Sequence, residues 1–213
     1  MAALVLGFVA GVLHVFAGPD HLAAGLAVRT QRPGGGWYYG GIWALGHAGG
    51  LTLIGLLYFL IRETGFIGAI SMFAERMVGV ALILMGAWML LRRHQPWDAS
   101  ASETNPPSQM LSWTEIREHP EGKAAIGFGF LHGTAGATHL IGLVPMFALQ
   151  NPIEVLAYLA AYNGGILIAM SSFCYAVGLL YSKPSLGGVI PAARIRLGVS
   201  LICVAIGAYW LLF

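Results

Sequence analysis

Six stretches of this chain, 2–28, 37–60, 66–91, 124–149, 153–181 and about 187–213, are apolar over most of their length. A helix needs about 20 mostly apolar residues to cross the hydrocarbon layer of a bilayer. In that layer a backbone persists only where every N–H and C=O is satisfied internally, which favours helices over open strands. The expected fold class is therefore all-α: a polytopic membrane protein with six transmembrane helices. Composition agrees, with 57% of the 213 residues hydrophobic and 9% charged, where soluble domains carry about 25% charged residues. The third stretch is the weakest, because Glu75 and Arg76 lie within it. They are expected to mark its interfacial start and leave a short apolar run from 77 to 91. No Lys or Arg precedes Arg29, so the first stretch lacks the basic start of a signal peptide and is expected to be a retained helix.

Charge placement orients the spans. Nine of the eleven Lys and Arg residues fall in the loops after spans one, three and five, and only Arg62 and Arg76 fall on the other side. By the positive-inside rule both termini face outward and the central loop is cytoplasmic. That loop, 94–121, is the one polar segment. It holds a linker-like Asn105-Pro106-Pro107-Ser108 run and a capping-box spacing from Ser112 to Glu115. The net charge of +2 carries no basic stripe, so nucleic acid is excluded as a partner. Cys174 and Cys203 lie in apolar runs without paired spacing and read as small buried hydrophobes.

The chain repeats itself. GVLHVFAGPDHL at 11–22 matches GFLHGTAGATHL at 129–140 in seven of twelve positions, including both histidines. A second echo joins GAWMLL at 86–91 with GAYWLL at 207–212, and Gly49-Gly50 is the expected counterpart of Gly164-Gly165. Three spans per copy is an odd number, so the second copy must cross the membrane in the opposite sense. The organisation expected is a first three-helix repeat at 1–93, the cytoplasmic connecting loop at 94–121 and a second, inverted repeat at 122–213. Inverted repeats are the architecture of many secondary transporters, whose sites lie near the membrane midplane.

The repeated motif carries the chemistry. His14 and His21 are seven residues apart, two helical turns, so both project from roughly one side. Gly18-Pro19 between them favours a local break that swings Asp20 toward the histidines. A charged aspartate near the centre of a span costs about 2.5–3.5 kcal/mol on insertion scales, and a bound cation would offset that cost. Imidazole suits nickel, cobalt, zinc and copper. His47 on span two, and His132 and His139 from the second copy, extend the candidate metal-ligand set, with Asn163 as an additional oxygen donor. Gly18, Pro19 and Gly136 are read as helix-break or backbone-geometry residues. Five of the seven histidines lie in apolar spans, and only His94 and His119 lie in the loop.

The string from His14 to Asp20-His21, followed by Gly46-His47 on the next span, resembles the nickel/cobalt transporter superfamily, and within it the UreH-like (NicO-type) membrane proteins. The resemblance covers essentially the whole chain. It implies movement of Ni²⁺ or Co²⁺ across the cytoplasmic membrane, with His14, Asp20, His21 and, more loosely, His47 as the metal-binding element. This sequence departs from the better-characterised permeases, which have four residues between the first His and the Asp-His pair. Here Val15 to Pro19 makes five, which leaves substrate and direction open. The three-plus-three plan also resembles the wider lysine-exporter superfamily. Its thiol-redox members need paired membrane cysteines, and Cys174 and Cys203 are not so placed.

The leading expectation is transmembrane transport of a divalent transition metal, nickel or cobalt, through a His/Asp site between the repeats. No prosthetic group and no enzymatic reaction are expected, and no phosphate-binding loop supplies an ATP engine. The expected partners are the metal ion, the lipid bilayer, and either further copies of the chain or metallocentre-assembly proteins. The alternatives are a non-conducting metal-binding accessory protein for urease or hydrogenase maturation, a transporter of a non-metal solute, and an intramembrane metalloenzyme.

Overall fold

The computed structural model of the protein describes residues 1–31, 36–61, 64–91, 120–135, 142–146, 148–182 and 192–212. Among these residues the chain is all-helical. Its helices are α1 (Ala2–Ala17), α2 (Pro19–Gln31), α3 (Gly36–Ile61), α4 (Thr64–Leu91), α5 (Pro120–Thr134), α6 (Pro152–Ser182) and α7 (Ala192–Leu212). A short helical stretch at 142–146 lies between α5 and α6. Three apolar stretches are long enough to cross a membrane unbroken: Tyr38–Leu57 in α3, Met72–Leu91 in α4 and Pro152–Val177 in α6. A fourth is split, since Ala2–Ala17 and Pro19–Leu26 pass the same test together but are bent by 70°. The last apolar run, Leu197–Leu212, is shorter, and α5 covers only 15 residues.

Local chemistry explains these boundaries. Gly18 precedes a proline, which disfavours helical geometry, and it adopts φ −90° and ψ 103°. Pro19 then occupies the first position of α2, where its missing N–H costs nothing. The bend keeps its backbone bonds, with Gly18 N donating to the His14 carbonyl at 3.1 Å and Leu22 N donating to the Gly18 carbonyl at 3.3 Å. Asn151 caps α6 by accepting from Ile153 N at 2.9 Å, ahead of a helix-starting proline.

Helix α4 runs continuously through Glu75 and Arg76 from Thr64, and the apolar stretch within it begins beside them at Met72, the end at which the sequence expectation placed the interface. Arg76 is exposed, and its long stem lets the charge leave the apolar run without breaking the helix. The central loop is expected to reach 121, but Pro120 already opens α5. The rest of that loop, with its linker and capping-box sequences, lies outside the described residues.

Glycine seams hold the helices together. A Cβ at Gly7 or Gly11 of α1 would strike the carbonyl oxygen of Tyr158 or Tyr162 on α6. On the other side, Gly129 and Gly133 of α5 meet the carbonyls of Trp43 and His47 on α3. Small residues let backbones approach to dispersion contact, which is what drives helix association where lipid is as apolar as the side chains. Gly165 lies on Phe8 O and Val12 N, and Gly46 lies on Ile126 O and Phe130 N. Phe8 and Ile126 are 118 residues apart, as are Val12 and Phe130, and as are His14 and His132. The contacts of the two seams therefore recur in pairs with partners exchanged. The exchange pairs Gly46 with Gly165, one helical turn away from the Gly49-Gly50 match expected from sequence. The α4–α7 seam follows the same rule, with Gly79 against Gly207 and Gly86 against Ser200.

Gly164 and Gly165 test this packing directly. A Cβ at Gly165 strikes Phe8 O, whereas one at Gly164 has nothing within 4 Å. Gly165→Ala is expected to destabilise the fold by about 1–3 kcal/mol through overpacking. Gly164→Ala is expected to be neutral or to stabilise by up to about 1 kcal/mol through helix propensity. Thermal melts in detergent, followed by helical circular dichroism, separate the two.

Candidate metal centre

The break at Gly18 sets the site. His14 lies in the last turn of α1, while Asp20 and His21 lie in the first turn of α2. Glycine is required at position 18 because a Cβ there would strike His21 Nδ1 and would lie 2.8 Å from Asp20 Oδ1. The two side chains fold back over the break. His47 comes from the middle of α3 and His132 from the last turn of α5. Five sequence-predicted ligands from four helices thus converge in one place.

Their geometry is tight. His21 Nδ1 lies 3.1 Å from Asp20 Oδ1, and His21 Nε2 lies 3.2 Å from His47 Nε2. His132 Nε2 lies 2.9 Å from Asp20 Oδ2. His14 and His21 stack edge to face with ring centroids 4.6 Å apart, and His21 and His132 do so at 4.7 Å. The ligand atoms form two trios, His14/His21/His47 and Asp20/His21/His132, each with its atoms within 4.8 Å of one another. Nitrogens bound to one metal at 2.0–2.1 Å stand about 2.9–3.4 Å apart, depending on geometry. The 3.2 Å between two imidazole nitrogens falls in that range.

Burial makes the arrangement informative. Asp20 is 2% exposed, and His21, His47 and His132 are fully buried; His14 is half-buried. The carboxylate sits at the N-terminus of α2, where the helix dipole favours negative charge. The last turns of α1 and α5 bring His14 and His132 to helix C-termini, where the dipole favours a cation. Asp20 Oδ2 lies within 2.9 Å of His132 Nε2. A carboxylate oxygen and imidazole nitrogens gathered this closely suit convergence on a third atom. The donor set, four imidazoles and one carboxylate, fits a borderline transition-metal ion better than magnesium or calcium.

Other expected residues fall elsewhere. His139 and Gly136 lie outside the described residues. Asn163 is not part of either trio, since its Nδ2 donates to Thr52 Oγ1 at 2.9 Å. Two aromatic residues that sequence reasoning did not single out line the centre. Trp43 has its ring centroid 5.1 Å from His47, 5.3 Å from His132 and 5.5 Å from His21. Tyr162 stands 5.7 Å from His14. The available signal was spacing, because Trp43 precedes His47 by one turn and so shares its face. Tyr162 and Trp43 also occupy exchanged positions in the paired seams, each meeting the histidine of one motif copy.

Comparison with known proteins is sparse. No family model matches the chain, and no solved structure matches it. Two curated proteins from Arabidopsis thaliana are similar. Chloroplast protein FOR GROWTH AND FERTILITY 1 is 31% identical over 180 residues, covering 81% of this chain and 48% of its own length. Chloroplast protein FOR GROWTH AND FERTILITY 2 is 33% identical over 181 residues, covering 81% of this chain and 46% of its own length. The chain spans about half the length of these relatives.

Trp43 provides a reporter. Adding Ni²⁺ or Co²⁺ is expected to quench part of the emission of the six tryptophans, and the saturable part should vanish in Trp43→Phe. In Asp20→Asn, which keeps the shape and removes the charge, the midpoint should move about 10–100-fold to higher metal concentration. An unchanged titration in both variants would place metal binding elsewhere.

Proposed function

We propose that this protein carries a divalent transition-metal ion, nickel or cobalt before others, across a membrane. In this reading His14, Asp20, His21, His47 and His132 bind the ion as substrate between two inverted three-helix halves. The observation that carries the reading is the convergence of five ligands, all but His14 fully buried, at a broken apolar helix. Non-helical backbone at membrane depth is tolerated where it lines a cavity or is buried in protein, and a buried ionisable set there is a functional site by default. The exchanged contact pairs along the α1–α6, α3–α5 and α4–α7 seams support the inverted-repeat half of the proposal. So does the motif resemblance to the nickel/cobalt transporter superfamily.

The reading extends to topology and place. With six crossings, the apolar stretch 124–149, which begins in α5, is the fourth. The basic residues then put both termini outside and the central loop in the cytoplasm. The membrane is the cytoplasmic membrane of a bacterium or, following the compartment in the relatives' names, a chloroplast membrane. His139 and Asn163 are the further ligands that the sequence offers beyond these five. Protons compete with metal for imidazole and carboxylate, so acidifying the side from which the ion loads slows uptake.

Flux into proteoliposomes loaded with an ion-sensitive dye tests the proposal, using Ni²⁺, Co²⁺, Zn²⁺ and Mn²⁺. Saturable entry of nickel or cobalt is expected, falling at least about tenfold in His21→Ala, since loss of a buried charge-assisted contact is worth about 1.5–3 kcal/mol. Tight metal binding by folded protein without flux would identify a metal-binding accessory protein instead. Flux of another solute that survives alanine at both His14 and His21 would identify a non-metal transporter.

A further inference from the structure

The two trios are not two independent sites, because they share one imidazole. His21 turns Nε2 toward His47 and Nδ1 toward Asp20, so its two nitrogens serve opposite sides of the ring. A neutral imidazole has one lone pair for a metal, and the other nitrogen carries the proton. Occupying both trios at once would require His21 to lose that proton and two dications to share a single carboxylate, Asp20. We propose that the centre is a pair of alternative seats for one ion, with His21 as the ligand common to both. The seat on the Nε2 side is His14/His21/His47. The seat on the Nδ1 side is Asp20/His21/His132.

The positions of the remaining ligands give the pair a direction. His14 and His132 are counterparts in the sequence repeat, and each belongs to a different trio. Their aromatic neighbours, Tyr162 and Trp43, are exchanged in the same way. If the halves are inverted, as the proposed function holds and on which this inference rests, the exchange of His14 for His132 is also an exchange of membrane faces. One seat then belongs to each face, and the ion passes between them by leaving one nitrogen of His21 for the other.

The ligand roles follow. With the ion on the Nε2 side, His21 keeps its proton on Nδ1 and donates it to Asp20, which orients the ring as a carboxylate does behind a metal-bound histidine. With the ion on the Nδ1 side, Asp20 becomes a ligand, and the His21 proton sits on Nε2, facing His47. The proton count of His21 is the same in both states. Asp20 stays ionised and His47 neutral in both states, so the two states differ only in the tautomer of His21 and in the place of the ion.

Binding to the full chain in detergent, measured with Co²⁺ alone, tests the proposal separately from transport. Wild type is expected to bind one Co²⁺ per chain. His132→Gln should still bind one Co²⁺ in an all-nitrogen seat. His14→Gln and His47→Gln should each still bind one in a mixed nitrogen–oxygen seat, with visible bands and an X-ray absorption fine structure distinct from those of His132→Gln. His21→Gln should lose binding at least a hundredfold. All single-seat variants that bind should lose at least tenfold in flux. Two Co²⁺ per wild-type chain would overturn the sharing of His21. Loss of binding in both His14→Gln and His132→Gln, with helical content and monodispersity retained, would show one composite site and overturn the two seats alone. Wild type that binds no Co²⁺ or Ni²⁺ would overturn the seats together with the metal reading. Using two variants on the Nε2 side keeps the comparison open if one of them fails to fold.

Discussion

A carboxylate held at 2% exposure among apolar helices is the constraint on which the rest of this structure depends. Leaving an ion unpaired in such a place costs far more than a typical fold can absorb, so it must be met by charge, dipole or hydrogen bond. Asp20 is met by all three kinds of group: the N-terminus of α2, the imidazole of His21 and the imidazole of His132. Each needs the break at Gly18. A continuous helix would put Asp20 in mid-helix, without a free helix terminus, and would carry it round the barrel away from His14. Gly18-Pro19 ends one helix and starts the next, so one dipeptide supplies both the dipole and the direction.

The convergence also requires that α1, α3 and α5 stand at fixed depth relative to one another. The glycine seams provide this. Gly11 on Tyr162 and Gly129 on Trp43 are backbone-to-backbone contacts, which leave little room to slide, unlike contacts between flexible side chains. The same residues that accept the glycines carry the rings beside the site. Tyr162 faces His14, and Trp43 faces His47 and His132. Seam and site are thus built from shared positions, so the helix register that packs well is also the one that brings the ligands together. Residues on the outer face of α1, such as Leu4, Phe8, Leu13 and Phe16, remain exposed, which leaves an apolar surface of the kind a lipid-facing helix presents.

Much of this was legible in the sequence, for reasons that differ from element to element. The helices follow from apolar run length alone, and the break at Gly18 follows from proline chemistry acting on its own neighbours. His14, Asp20 and His21 are close in sequence, so their meeting needed only local geometry. His47 and His132 were legible as candidates because a histidine in an apolar run is costly, but their distances to His21 and Asp20 depend on how α3 and α5 pack. Long-range packing also decides the register of the repeat. Gly49-Gly50 and Gly164-Gly165 look alike as strings, yet the contact that counts is to a carbonyl on another helix, and it selects Gly46. Trp43 and Tyr162 were hidden for the same reason, since an aromatic residue in an apolar span is unremarkable until its neighbours are known. Glu75-Arg76 were legible as the end of the spanning stretch, which begins at Met72, but not as a helix boundary, because α4 continues back to Thr64.

The asymmetry of the two motif copies bears on what such a centre can do. The first copy has Pro19-Asp20 where the second has Ala137-Thr138, and the two trios hold one carboxylate in total. A dication among four imidazoles and one carboxylate keeps a net positive charge, offset further only by the C-terminal dipoles of α1 and α5. Structural metal sites built from several thiolates or carboxylates neutralise the ion and hold it. Conduction asks for the reverse, binding strong enough to strip water from the ion and weak enough to release it. In the proposed reading, one carboxylate placed where two alternative ligand sets can each use it would keep an ion bound without trapping it, the balance that a carrier of a transition metal requires.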